Sequence, residues 1–138
     1  MVIFKGGMKM GAKWIKLAVL YFIIGIVLGL FMSATLQLHW AAAHAHVNLV
    51  GWASTAIIGL VYAVYPKAGN NALGKWTFWL YNIGLPVLLI SMFMVQFPGA
   101  IAFAHIFTFS GGGALALGIV LFIVNVFMNV HDEDVKSN

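Results

Sequence analysis

His44 and His46 stand one residue apart in a run, Ala41 to Trp52, that otherwise has the composition of a membrane-spanning helix. An imidazole in hydrocarbon is costly unless something pairs with it, so two in one run mark a site. Neutral imidazole is also a ready ligand for iron, copper and zinc. On a helix of about 3.6 residues per turn, positions i and i+2 lie about 200° apart. The two rings therefore leave opposite flanks and cannot grip one ion together. Each is expected to serve its own site, which suits a planar cofactor such as haem on either side of the helix. Ala41, Ala42, Ala43, Ala45, Gly51 and Ala53 surround the pair. Their small volume leaves a slot beside the imidazoles that a packed core would fill.

Asn48 lies four residues after His44, one turn deeper on nearly the same face, where its amide could orient a ligating histidine. His39 shares the face of His46 but sits at the membrane boundary, which gives it an interfacial or cofactor-edge role. His105 opens the last apolar run near the same boundary and could meet a haem propionate or the iron. His131 belongs to the polar tail. Met92 and Met94 are soft donors in principle, but methionine in an apolar helix is ordinarily packing.

The elements that must hold these residues follow from composition. Of 138 residues, 63% are hydrophobic and 7% charged, and the mean hydropathy is +1.02. That is the balance of an integral membrane protein. Cysteine is absent, which excludes disulfides, iron–sulfur clusters and covalent c-type haem. All seven cationic residues are lysines. They flank apolar runs, so the pI near 9.6 marks topology, not nucleic acid binding.

Four runs are long enough to cross a core of about 30 Å: residues 14–36, 40–65, 76–97 and 101–129. The sequence thus predicts an all-α fold, one transmembrane four-helix bundle over residues 1–138. Trp14, Trp40 and Trp76 fall near boundaries, as interfacial tryptophans do. Residues 66–75, with Gly69, Asn70, Asn71 and Gly74, read as a polar turn. Lysines concentrate before the first span and between the second and third, which places both termini in the cytoplasm of an inner-membrane protein. Gly25 and Gly29 form a small-xxx-small pair that permits close helix approach. Gly111, Gly112, Gly113 and Gly118 thin the last span for another helix or for a flat ring.

The run from His44 to Pro66, His-Ala-His-Val-Asn-Leu-Val-Gly-Trp followed by Gly59 and Tyr62, resembles the haem-ligating helices of the haem–copper oxidase superfamily. The stretch from Leu117 to Asn125 is similar to a late helix of its catalytic subunit. That subunit has twelve core helices in three arcs of four, and a His-x-His pair there serves two neighbouring haems. The resemblance implies a homotrimer, twelve helices in all, in which His44 of one chain and His46 of the next hold a b-type haem between them.

Departures from the family pattern limit the chemistry. No His-x-x-x-Tyr pair is present, since Asn48 and Val50 stand four residues after the two histidines, no two histidines are adjacent for a copper centre, and no acidic residue lies within a proposed span. Oxygen or nitric oxide reduction with proton pumping is therefore disfavoured. The expectation is a bis-histidine haem protein for electron transfer or haem binding, with lipid, other copies of itself and an unspecified redox partner around it. A minimal haem or metal reductase, or a channel or structural membrane protein, are the alternatives.

Overall fold

Local residue chemistry sets several of the helix ends in the computed structural model, which describes residues 7–132. Helix α1 spans Gly7–Thr35 and ends where Leu36 takes a left-handed conformation, φ 56°. The second span is composite. A 3-10 turn at Leu38–Trp40 leads into α2, Ala41–His46, then a π-helical segment at Val47–Ser54, then α3, Thr55–Val64. Pro66 opens a short α4, Pro66–Asn70, at the position where its missing N–H costs nothing. The side chain of Asn71 accepts from the Gly74 N–H at 2.7 Å and so caps α5, Ala72–Met94. A turn with Gly99 at φ 86° leads to α6, Ile101–Asn129.

Four spans are long and apolar enough to cross a membrane: Met10–Thr35, Leu38–Val64, Ala72–Met94 and Ile101–Asn129. The described residues contain no strand, so the all-helical, four-span architecture expected from the sequence is present. Its boundaries differ in detail. Helix α1 is already formed at Gly7, the first described residue and seven before Trp14, because lysine is a good helix former and does not stop the helix. The expected turn at 66–75 is largely helical, α4 plus the first residues of α5. Lys5 before the first span and the tail residues Glu133, Asp134 and Lys136 lie outside the described residues.

The spans pack as two hairpins. Gly11 and Gly59 let α1 meet α3 closely: a Cβ on Gly11 would sit 2.7 Å from the Gly59 carbonyl oxygen. Gly84 and Gly111 do the same for α5 and α6, where a Cβ on either would lie 2.5 Å from a backbone nitrogen of the other helix. Gly111 and Gly118 therefore serve helix packing, while nothing lies within 4 Å of a Cβ on Gly113.

Aromatic side chains join the hairpins. Trp14 is fully buried with ring centroids 5.1 Å from Tyr81, 5.5 Å from Phe78 and 6.2 Å from Tyr62. It is a core residue two turns into α1. Buried Asn125 of α6 extends the same cluster through Tyr62: it donates to the Ala68 carbonyl at 2.8 Å and to the Tyr62 hydroxyl at 3.2 Å, and it accepts from Asn71 at 2.7 Å. In hydrocarbon such a fully paired amide holds helices in register.

Candidate functional site

The histidine pair occupies the C-terminal end of α2, immediately before the π-helical segment. The two rings have different surroundings. His44 is half-buried, and its Cε1, the carbon between the two ring nitrogens, would lie 3.0 Å from a Cβ on Gly29 of α1. The Asn48 Nδ2 approaches the same edge, 3.3 Å from Nδ1 and 3.5 Å from Nε2, and donates to the His44 carbonyl at 2.9 Å. Asn48 in turn rests on Gly25, where a Cβ would come within 2.5 Å of its Oδ1. The small-xxx-small pair of α1 thus seats two polar side chains of the second span, and the nitrogen-bearing edge of His44 faces protein.

His46 is arranged differently. Its Nδ1 lies 2.9 Å from the Ala42 carbonyl oxygen. A carbonyl only accepts, so Nδ1 carries the proton and Nε2 of the neutral ring keeps its lone pair. The ring borders a recess of about 120 Å³ lined by Ala45, His46, Leu49 and Val50, all from its own span. At Val50 this recess adjoins an apolar groove of about 350 Å³ between the second span and α6, walled by Ser54, Ile58, Tyr81, Ile119 and Phe122 among others.

The π-helical segment ties His46 to that groove. In an unbroken α-helix His46 and Ile58, twelve residues apart, would lie about 120° apart around the axis. Eight residues whose turns close five apart rather than four wind more slowly and reduce that offset. Side chains complete the carbonyls of this segment: Ser54 donates to Leu49 at 2.8 Å, Thr55 to Val50 at 3.0 Å, and Tyr81 of α5 to Val50 at 2.8 Å. Sequence reasoning did not find this device. Its only trace is the Ser54-Thr55 pair, five residues beyond Leu49-Val50 in an otherwise apolar run.

The remaining candidates stay apart from the pair. His39 is exposed in the 3-10 turn with its ring 4.7 Å from Trp40, which packs on Phe93 at 5.0 Å. His105 is exposed on α6 and stacks on Phe109 at 6.4 Å. Met92 packs against the core, and His131 meets the Met128 carbonyl in the tail. Among the described residues no three His, Cys, Asp or Glu side chains come together to hold a metal ion. Compared with known proteins, the chain matches no family model, no curated protein and no solved structure.

Proposed function

We propose that this chain is a b-type haem protein of the inner membrane in which His46 would hold the haem iron, serving electron transfer or haem binding rather than catalysis. One observation supports the reading above the others. A backbone carbonyl holds Nδ1 of His46, which leaves Nε2 with its lone pair on a ring that borders a small apolar recess. Metal-ligating histidines are oriented in this way, by a hydrogen bond from the second ring nitrogen.

The donor set fits a haem better than a bare ion. A single imidazole holds a free cation weakly, whereas a macrocycle brings four of the iron's ligands with it. A bound haem would supply one-electron chemistry. The chain's own part is to fix the imidazole through Ala42, to exclude water with Ile58, Ile119 and Phe122, and to keep the π-segment carbonyls paired so that the wall stays apolar.

This reading includes an assembly of several copies, because no second histidine of the same chain borders the His46 recess. The likeness to an arc of the haem–copper oxidase superfamily suggests a threefold ring. The lysine distribution suggests cytoplasmic termini.

Protein purified in detergent from haem-replete cells should contain iron and show a low-spin spectrum that carbon monoxide leaves unchanged. A colourless, iron-free protein would refute the reading and leave a channel or structural role. A reductase with an open coordination position is a second reading, favoured by that same lack of a second ligand. Binding of carbon monoxide to the reduced form would establish it.

A further inference from the structure

We propose that the furrow between α1 and α5 holds an acyl chain of an anionic phospholipid, of the phosphatidylglycerol type, whose headgroup rests between Lys13 and Lys75. The inference goes beyond the haem reading and does not depend on it.

The furrow follows from how the helices pair. Glycines draw α1 onto α3 and α5 onto α6; no such pair joins α1 to α5, and a gap remains between them. Leu17, Leu20 and Ile24 face Asn82, Pro86 and Phe93 across a cavity of about 410 Å³. A second cavity of about 400 Å³ shares Ile24 and Phe93 and continues to Phe31. From Leu17 to Phe31 the furrow runs about 21 Å along α1. One leaflet is roughly 15 Å deep, half of a core of about 30 Å, so the furrow is long enough for an acyl chain. Asn82 turns its Nδ2 back onto the Phe78 carbonyl at 2.9 Å and its Oδ1 is buried, which leaves the walls almost wholly apolar.

Both walls end in a lysine on the same face. On α1 the residues Lys13, Leu20, Ile24 and Phe31 are spaced by seven, four and seven. On α5 the residues Lys75, Asn82, Pro86 and Phe93 repeat that spacing. Seven residues turn about 700° and eleven about 1100°, each within about 20° of whole turns. The first and third spans run the same way, and one cavity takes in Leu20 and Ile24 with Asn82 and Pro86. The two lysines, each seven residues before that set, therefore close the same end.

That end lies at headgroup level. The span Met10–Thr35 has 26 residues and is about 39 Å long, which puts Lys13 at the edge of the hydrocarbon core. Lys13 and Lys75 are exposed, and beside Lys75 the rings of Trp76 and Trp79 are 61% and 59% exposed, as suits the interface. No acidic residue precedes Asp132, so neither helix supplies a carboxylate to these ammonium groups. A phosphodiester above an acyl chain in the furrow does.

The test titrates the full chain, in a neutral detergent at low salt, with phosphatidylglycerol or phosphatidylcholine of identical acyl chains, and reads bound lipid by native mass spectrometry. Each lysine near the surface favours the anionic lipid about fivefold, so wild type should prefer phosphatidylglycerol about thirtyfold. Lys13→Gln combined with Lys75→Gln should bring the two lipids to about equal affinity, while Lys136→Gln, which removes one charge from the tail, should keep the preference. Ile24→Trp fills the wall shared by both cavities from a position 51% exposed. Displacing about two methylenes of the chain should weaken both lipids about tenfold. Equal binding of the two lipids by wild type would overturn the proposal. So would a loss of preference in Lys136→Gln as large as in Lys13→Gln, or unchanged lipid affinity in helical Ile24→Trp protein.

Discussion

The imidazole of His44 turns its nitrogen edge onto Gly29 and the Asn48 amide, while that of His46 commits one nitrogen to the carbonyl a turn behind it and keeps the other outward. One alanine separates them. On a helix that spacing sends the two rings to opposite flanks, one against α1 and the other beside a recess of its own span, although both are half-buried. The partners differ accordingly. His44 has a seat prepared by two glycines of another helix; His46 depends on its own helix alone.

Substitutions on the two flanks should therefore give different kinds of effect. The largest is expected for His46→Ala, with haem content falling about tenfold or more by absorbance and iron analysis. His131→Ala, in the tail, should match wild type, and equal haem in both variants would erase the distinction drawn for His46.

Next in size is Gly25→Leu. Its Cβ would already stand 2.5 Å from Asn48 Oδ1, and overpacking of this kind costs about 1–3 kcal/mol. Unfolding in mixed detergent micelles should show the loss, with the haem-to-chain ratio of the folded fraction unchanged. A fall in that ratio would mean that the interior flank also builds the haem site.

Asn48→Leu removes the amide packed between His44 and Gly25 of α1. Its hydrogen bonds are to His44 of its own span, and an intramolecular hydrogen bond is worth about 0.5–1.5 kcal/mol net, so a destabilisation in that range is expected by the same assay. The smallest change should come from Tyr81→Phe, because Thr55 still donates to the Val50 carbonyl at 3.0 Å. A cost well above about 1 kcal/mol would show that the π-helical segment hangs on the tyrosine hydroxyl alone.

Much of the architecture could be read in advance, because crossing a bilayer demands long apolar runs and little else meets that demand. The last span, residues 101–129, has the bounds expected of it. The third is shifted from 76–97 to Ala72–Met94 because Asn71 caps it early and Val95 begins the turn toward Gly99.

What the sequence concealed depends on contacts between spans. Gly25 and Gly29 are visible as a pattern, but their occupants, an amide and an imidazole, are not. Trp14 has the position of an interfacial anchor in the apolar run, yet α1 starts early and carries it into the aromatic core. The π-helical segment has no periodicity signal of its own, since its carbonyls are completed by Ser54, Thr55 and, from another helix, Tyr81. The opposed flanks of His44 and His46 could be seen from spacing alone. Which flank faced inward could not, because that is decided by the glycines of α1.

The most direct test sets the absorption spectrum and iron content of His44→Ala beside those of wild type. With His46 as the ligand, the two proteins carry the same haem per chain and the same low-spin spectrum, and His44→Ala unfolds more easily. Loss of haem from helical His44→Ala protein would contradict the division of work between the two imidazoles.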